Sequence, residues 1–329
     1  MQRFRNILCV MEHGESGMPA LERAVTLARN NQATLTVVDV IPRIPAGISM
    51  PDGGPISRDL QEAMAREHEA SLVSLLEPYR DKLDINLGVL MGTPFLEIVR
   101  TVLRNGYDLV IKCPESPGWL DRFFSGDDMH LLRKCPCPVW LVKPQAGETY
   151  RRILAAVDVY DGYPEKELEA RRRLNVQVLE MAVSVAISES AELHVVHAWE
   201  SLSEMARGLV FSSDLSSEKI VLNMEQERWH QQELLDQFMK SMRARTTELR
   251  DALDYLGPAI HLLKGGARRE IPALAKSLAV DCIVMGTVAR TGIRGFIMGN
   301  TAETILEQIE CSVLAIKPDG FRTPVALDE

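Results

Sequence analysis

The chain alternates short apolar runs with longer amphipathic stretches. Residues 20–29 and 178–185 carry apolar side chains at three- and four-residue spacing, which is the period of an α-helix. Short apolar runs that end at Val38 and Val196 are typical of β-strands. Because strands that alternate with helices are joined by crossovers, the pattern predicts a mostly parallel sheet with helices on both faces.

An internal repeat divides the chain into two copies of one unit, each with the predicted order β-α-β-α-β-α-β-α-β. The matching segments are 5–12 with 151–158, 20–28 with 178–186, 33–40 with 191–198, 89–98 with 262–271, 107–112 with 280–285 and 137–144 with 311–318. We therefore expect an α/β protein with two tandem Rossmann-like domains, each a doubly wound sheet of five strands. The predicted domains are residues 1–146, called copy one below, and 147–329, called copy two.

Two long stretches, Ser57–Lys82 and Ser217–Asp254, are predicted to be helical. Each follows an irregular segment, 41–57 or 200–217, and each such segment is interpreted as a lid over a pocket or as a long connection. The second stretch and the segment before it also contain four methionines, which suit a core or a flexible apolar pocket: Met205, Met224, Met239 and Met242.

A glycine-rich segment, GTVARTGIRGFIMGN at 286–300, follows a strand-like run and precedes a helix. We expect Asn300 to cap that helix, since Glu303 three residues later completes a capping-box pattern. Doubly wound sheets bind ligands at the carboxyl ends of their strands, and glycines there let backbone N–H groups approach phosphate oxygens. Asp158, at the end of the first strand of copy two, is placed to accept from an adenine amine or a ribose hydroxyl.

Composition narrows the function classes. The formal net charge of −9, without a block of like charges, argues against nucleic acid as a partner, and no apolar stretch is long enough for a membrane span. Six cysteines in 329 residues are too few for a disulfide framework, so we expect a cytoplasmic protein with reduced thiols. Cys135 and Cys137 lack a second ligand pair, so no metal site is predicted.

The common motifs of nucleophilic, metal-dependent and P-loop enzymes are also absent from the sequence, which predicts a protein that is not an enzyme.

The repeat, Asp158, and the run GTVARTGIRGFIMGNTAE followed by CSVLAIKP resemble the universal stress protein family in its tandem two-domain form. Nucleotide-binding members of that family carry G-x2-G-x9-G-[ST], so the resemblance implies a site for ATP or another adenine nucleotide in copy two. The residues that it places around the nucleotide are Asp158, Ala198, Gly286, Thr287, Ala289, Arg290, Gly299, Asn300 and Thr301.

Two positions depart from the family pattern. Ala289 replaces the second glycine, and Asn300 follows the third, which displaces the hydroxyl to Thr301. If residue 289 must adopt a left-handed backbone conformation to bind the phosphate, alanine costs roughly 1–2 kcal/mol of binding free energy. If the phosphate instead packs against the Cα of residue 289, the methyl group of Ala289 blocks it. These alternatives leave open whether Ala289 abolishes nucleotide binding.

Copy one lacks the glycine-rich loop. Its aligned segment, 113–130, has prolines in place of the early glycines and contains Asp121, Asp127 and Asp128, while Glu12 matches Asp158. Carboxylates that face a phosphate site repel anions, so we expect copy one not to bind a nucleotide in the family manner.

The resemblance also implies that the two copies pair through their last strands, Val139–Lys143 and Val313–Lys317, as a pseudo-two-fold intramolecular dimer. The leading hypothesis is a non-catalytic ligand- or nucleotide-binding factor of the cellular stress response. The alternatives are a weak ATP hydrolase with Mg²⁺ at Asp158 and Asp161, and a binder of an apolar or lipid-like ligand between helices and sheet. The expected partner is a small molecule, while a homodimer of the whole chain and the identity of a protein partner are left open.

Overall fold

The computed structural model describes residues 4–11, 14–44, 55–81, 83–114, 126–143, 149–201, 203–204, 217–287 and 298–327. In these ranges the chain forms ten strands, nine α-helices and two short 3-10 helices, Gly14–Gly17 and Glu77–Tyr79. The strands are β1 (Asn6–Val10), β2 (Thr34–Ile41), β3 (Ile85–Met91), β4 (Leu109–Lys112), β5 (Val139–Leu141), β6 (Arg152–Ala156), β7 (Glu192–Trp199), β8 (Ala259–Lys264), β9 (Cys282–Gly286) and β10 (Ser312–Ile316). The helices are α1 (Met18–Asn31), α2 (Pro55–Leu76), α3 (Pro94–Asn105), α4 (Gly126–Lys134), α5 (Glu165–Glu189), α6 (Ser217–Arg245), α7 (Thr247–Leu256), α8 (Ala267–Ser277) and α9 (Asn300–Leu306).

All ten strands form one sheet in the order β3-β2-β1-β4-β5-β10-β9-β6-β7-β8. The pairs within each copy are parallel, whereas β5 and β10 are antiparallel, with Val313 opposite Leu141 and Leu314 opposite Trp140. The last strand of each copy therefore covers the edge that the other copy would expose. This arrangement confirms the predicted α/β class and the pseudo-two-fold pairing of the two copies.

Helices cover both faces of the sheet, as expected for doubly wound domains. One hydrophobic core contains buried residues of α1, α2, α5, α6 and α7, and the other contains buried residues of α3, α4, α8 and α9. Alternate residues of a strand serve opposite cores: Val195 belongs to the first core and Val196 to the second. Both copies contribute to each core, so the apolar interior continues across the β5–β10 junction.

The long helical stretch predicted over Ser217–Asp254 is divided in two. Thr246 has extended backbone angles, φ −144° and ψ 154°, and its hydroxyl accepts the Leu249 N–H at 3.1 Å. This side chain caps α7, so the chain leaves one helix and starts the next within a single residue. The prediction of one continuous helix was wrong at this point, because periodicity alone does not reveal a threonine that caps instead of continuing.

Several predicted features fall outside the described residues. They include residues 45–54 and 205–216 of the irregular segments, most of the glycine-rich loop (288–297) and the domain boundary at 146/147. Among the helices in the described part of the chain, none combines the length and apolar character that crossing a lipid bilayer requires.

Candidate functional site

The strand order of copy two reverses between β6 and β9, and the crevice beyond their carboxyl ends is a topological switch point. The two strands are parallel, with Ala156 of β6 opposite Met285 of β9. Two residues beyond these partners come Asp158 and Thr287. The predicted carboxylate and the first residues of the glycine-rich loop therefore leave the sheet side by side.

Asp158 is positioned by a network of hydrogen bonds. Its Oδ2 accepts from the Tyr163 hydroxyl and from Nη1 of Arg171, both at 2.8 Å. The buried Asn175 amide accepts the Asp158 N–H at 2.9 Å and donates to the Asp158 carbonyl at 2.7 Å. Among the described residues, Oδ1 has only a long contact, 3.4 Å, with the N–H of Tyr160, and the side chain is 39% exposed. The carboxylate thus keeps an oxygen with accepting capacity for a ligand.

The groups around Asp158 are themselves packed together. The Arg171 guanidinium lies 3.7 Å from the centre of the Tyr163 ring. Burial, followed by the charge of Asp158, raises the pKa of Tyr163, so this hydroxyl remains a neutral donor. Asp161, the second carboxylate of the hydrolase hypothesis, contacts Nε2 of His230 at 2.9 Å. No cluster of three or more His, Cys, Asp or Glu residues arranged to hold a metal ion occurs within the described ranges.

Ala198 lies next to the end of β7 and is half-buried, opposite Leu263 of β8. Its neighbour His197 is buried, with Nδ1 3.3 Å from the Val157 carbonyl and Nε2 3.1 Å from Oε1 of Gln231 on α6. His197 therefore links α6 to the strand ends.

The two ends of the glycine-rich loop are joined by hydrogen bonds. Thr287 donates its N–H to the Ile316 carbonyl at 3.2 Å, and Gly299 donates its N–H to the Thr287 carbonyl at 3.1 Å. The Thr287 side chain is fully buried, and its hydroxyl accepts from Nζ of Lys317 at 2.7 Å. The Thr287 hydroxyl is consequently an internal anchor of the loop and points away from the crevice.

Gly286 has a packing reason to be glycine. A Cβ at this position would lie 2.5 Å from Cδ2 of Leu174 on α5. A larger residue would therefore force Leu174 into another rotamer, independently of any ligand. The other loop positions of the predicted site, Ala289 and Arg290, lie outside the described residues.

The capping box predicted for α9 is wrong. Gly299 is the N-cap, with φ −63° and ψ 134°, and no side chain caps the helix. Asn300 is already the first helical residue, because Gly299 takes the extended conformation that a cap requires. Glu303 instead forms an ion pair with Arg133 of copy one. Asn300 and Thr301 are exposed at the start of α9.

Copy one has a buried ion pair beneath the corresponding strand end. Nζ of Lys112, the last residue of β4, lies 2.8 Å from Oδ1 of Asp128 on α4, and both side chains are almost completely buried. Asp128 therefore faces the core, not a phosphate site, and the expectation that it repels a nucleotide is wrong for this residue. Asp121 and Glu12 lie outside the described residues.

Sequence reasoning missed the residues that hold the site together. Arg171 and Tyr163 contact Asp158 across separations of 13 and 5 residues, and no motif marks either of them. Lys317 did carry a signal, because the Lys-Pro pair at 317–318 repeats the pair at 143–144. The repeat indicated that the lysine matters, but not that its amine is buried against Thr287.

A separate apolar cavity of about 260 Å³ lies between α6 and the sheet edge formed by β7 and β8. Met224, one of the four methionines noted in the sequence, is part of its lining. The lining is mainly apolar, with charged groups at its margin: Trp199, Val221, Met224, Glu225, Arg228, Leu262 and Lys264.

Comparison with known proteins agrees with this architecture. The family model for the universal stress protein family matches residues 3–143 and 149–317. The chain is 29% identical to universal stress protein E of Escherichia coli K12, over 100% of this chain and 99% of that protein, and 26% identical to universal stress protein E of Photorhabdus laumondii, over 99% and 98%.

Solved structures agree as well. A Pseudomonas aeruginosa UCBPP-PA14 structure assigned to the universal stress proteins has a TM-score of 0.66 and 28% identity, over 96% of this chain and 94% of that one. A universal stress protein from Archaeoglobus fulgidus shares the fold, with a TM-score of 0.58 at 17% identity, over 95% of this chain and 98% of that one. The chain, with its two matched segments and its pseudo-symmetric ten-stranded sheet, belongs to the universal stress protein family as a tandem two-domain member.

Proposed function

We propose that this tandem universal stress protein is a non-catalytic ligand-binding factor of the stress response, and that copy two binds an adenine nucleotide such as ATP. The observation that carries the proposal is the half-exposed carboxylate of Asp158, fixed beside the first residues of the glycine-rich loop at the switch point. Open α/β sheets bind ligands in this crevice, outside the carboxyl ends of the strands.

Each part of the crevice suits a different part of a nucleotide. Asp158 would accept from the adenine amine or a ribose hydroxyl, because Oδ1 retains accepting capacity. The backbone of Ala198 would line the base at the end of β7. The phosphates would lie against the loop between Gly286 and Gly299. The two ends of this loop are joined by the hydrogen bond from the Gly299 N–H to the Thr287 carbonyl. The loop residues proposed to meet the phosphates are Gly286, Ala289, Arg290, Gly299, Asn300 and Thr301, while Thr287 would support the loop as its buried anchor.

We propose binding without turnover. A hydrolase would need Mg²⁺ at Asp158 and Asp161, and these carboxylates are engaged by Arg171 and His230 respectively. The proposed mechanism is instead a population shift, in which a ligand with higher affinity for one loop conformation changes a surface that a partner protein recognises.

Titration calorimetry with ATP and AMP tests the proposal on the wild type and two variants. Asp158→Ala removes a charged acceptor and should weaken binding roughly ten-fold or more. Asp161→Ala is the matched control, a neighbouring carboxylate outside the proposed contacts that should leave affinity within about two-fold. Absence of heat at millimolar ligand, or equal losses in both variants, would refute the proposed site, and circular dichroism checks that each variant is folded.

The cavity under α6 favours a second candidate, an apolar ligand held between helix and sheet. Its mainly apolar lining, including Trp199, Met224 and Leu262, suits such a ligand. Native mass spectrometry of freshly purified protein would detect a retained molecule. Met224→Glu should remove it, whereas Asp158→Ala should not. A protein that carries no extra mass and does not bind an apolar dye in the cavity would rule out this candidate.

A further inference from the structure

Two cysteines meet at the junction between the copies. Cys135 directly follows α4 and Cys137 precedes β5, and their Sγ atoms lie 3.6 Å apart. Both side chains are almost completely buried, with Cys135 0% and Cys137 8% exposed. The thiols are close enough to share a hydrogen, and bond formation requires only a small approach of the two sulfur atoms.

A buried lysine of the other copy faces this pair. Lys317 is 4% exposed, and its Nζ donates to the Leu132 carbonyl of copy one and to the Thr287 hydroxyl. No carboxylate pairs with Lys317 among the residues that the structure describes, and its acidic neighbours are the Cys135 and Cys137 thiols. Burial lowers the pKa of Lys317 to about 7, although the two thiols act against that shift. Within the described ranges, the counter-ion available to a charged Lys317 is therefore a thiolate of this pair.

The electrostatics distinguish the two sulfur atoms. Burial alone would raise the pKa of Cys135, but the hydrogen bond with Cys137 and the charge of Lys317 bring it below its usual range. The same hydrogen bond, with burial, raises the pKa of Cys137. Cys135 is therefore the thiol that gives up its proton more readily, and the thiolate is the nucleophilic form of cysteine.

The remaining four cysteines form an internal control. Cys9 neighbours Cys113, and Cys282 neighbours Cys311, so each of these pairs also places two thiols in electrostatic contact. Burial raises the pKa of all four, to about 11 for Cys113 and about 12 for Cys311. These pairs are buried thiols that stay protonated, although the charges of Lys112 and Lys143 act on Cys113 and Cys311. Cys135 differs because it combines the charge of a buried lysine with a hydrogen bond to a second thiol.

Pseudo-symmetry shows that the arrangement is built only once. The repeat aligns Cys137 with Cys311, but Cys135 with Ile309, so copy two has one cysteine where copy one has two. Lys143, the counterpart of Lys317, is more exposed and donates to the Glu310 carbonyl. The junction therefore holds one dithiol with one buried cation.

We propose that Cys135 and Cys137 are a redox-active dithiol, which hydrogen peroxide oxidises to a disulfide with Lys317 as the proton acceptor and counter-ion. Lys317 takes the Cys135 proton, and the thiolate attacks one peroxide oxygen, forming a sulfenic acid and hydroxide. The hydroxide then accepts this proton from Lys317 and becomes water. Cys137 then attacks the Cys135 sulfur, and its proton leaves with the sulfenic oxygen as a second water. Two thiols and one peroxide thus give one disulfide and two waters.

Peptide mapping of the folded full-length chain after brief peroxide treatment, followed by alkylation of free thiols in denaturant, tests the wild type directly. The expected product has lost two hydrogen atoms in the peptide that contains Cys135 and Cys137, and dithiothreitol restores them. The other four cysteines should be alkylated. Alkylation of both Cys135 and Cys137, or equally rapid oxidation of the other pairs, would overturn the proposal.

Variants test the assigned roles. In Cys137→Ser the Cys135 sulfenic acid should persist and react with dimedone, whereas Cys135→Ser should give no adduct; the reverse result contradicts the assignment. Lys317→Met should slow disulfide formation about ten-fold or more, because one unit of thiol pKa changes the thiolate fraction ten-fold. Lys143→Met, the matched lysine of copy one, should leave the rate unchanged. If Lys317→Met does not fold, the comparison of the two serine variants still decides between the outcomes.

Discussion

Lys112 and Asp128 form an ion pair of 2.8 Å with almost no solvent exposure, at the place where copy two has two buried apolar residues. The repeat aligns Lys112 with Met285 and Asp128 with Ala302, and both of these residues are buried in the second core. The two copies therefore support the same strand end in different ways. Copy one has charge in its core at the end of β4, and copy two has apolar side chains at the end of β9.

Removing one partner of this ion pair should destabilise copy one strongly. Asp128→Ala leaves the Lys112 ammonium buried without its carboxylate partner, which typically costs about 3–5 kcal/mol. The double variant Lys112→Met with Asp128→Ala reproduces the pair of copy two and should recover most of that loss, because both charges are gone. Urea unfolding measures the free energy of unfolding of each. A double variant as unstable as the single one would show that the ion pair is needed for a reason other than charge balance.

The order of strands and helices in each copy could be predicted from the sequence, because it follows from the spacing of apolar residues and from the internal repeat. Alternating strands and helices predicted parallel strands in each copy, whereas the β5–β10 pairing was expected from the resemblance to the family. The position of Asp158 at a strand end followed from the same pattern. These features depend on local periodicity and chain order, which one sequence records.

Side-chain partners across the fold could not be predicted in this way. Lys112 and Asp128 are 16 residues apart and Lys317 and Thr287 are 30 apart, and neither separation has a periodic meaning. The sequence showed Asp128 as one of several acidic residues, so it was interpreted as a surface charge facing the phosphate site. Whether an acidic side chain points into the core depends on the packing of the helices and strands, and the pattern of polar positions along the chain does not reveal that packing.

Gly265 connects β8 to α8 with a positive φ of 133°, and a Cβ there would lie 2.6 Å from Oε1 of Glu270. Gly265→Ala should therefore lower the free energy of unfolding by roughly 1–2 kcal/mol, since alanine disfavours this backbone region and Glu270 must move. Gly88→Ala is the control, because an added Cβ there meets no atom within 4 Å. Equal urea midpoints for the two variants would contradict the strain argument.

Thr246 should contribute measurably as the cap between α6 and α7. Thr246→Ala removes the hydroxyl that accepts the Leu249 N–H, and loss of such a cap costs about 1 kcal/mol. Thr247→Ala removes an exposed hydroxyl one residue later and should change stability by less than about 0.5 kcal/mol. Thermal or urea unfolding of the pair compares them directly; a larger effect at Thr247 would mean that the cap is assigned to the wrong residue.

Lys317 should make the stability of the protein depend on pH above neutrality. Burial lowers its pKa from 10.5 to about 7, so between these values the unfolded chain holds a proton that the folded chain has released. Stability therefore rises with pH through this window, by on the order of 1 kcal/mol per pH unit, and the contribution is lost as pH falls through the folded pKa. The titratable groups that face the amine are Cys135 and Cys137, and its other neighbours are the Leu132 carbonyl, the Thr287 hydroxyl and the Phe321 ring.

The other buried cysteines complicate only the upper part of this range. Their raised pKa values make the folded chain hold protons above the usual thiol value of 9.0, which opposes the rise there. The comparison is therefore made between about pH 7 and about pH 8.5, below that value. The free energy of unfolding of the wild type should increase over this interval, whereas that of Lys317→Met should stay nearly flat. A parallel rise in both proteins would assign the pH dependence to another group, and a flat profile in the wild type would show that Lys317 keeps its proton in the folded state.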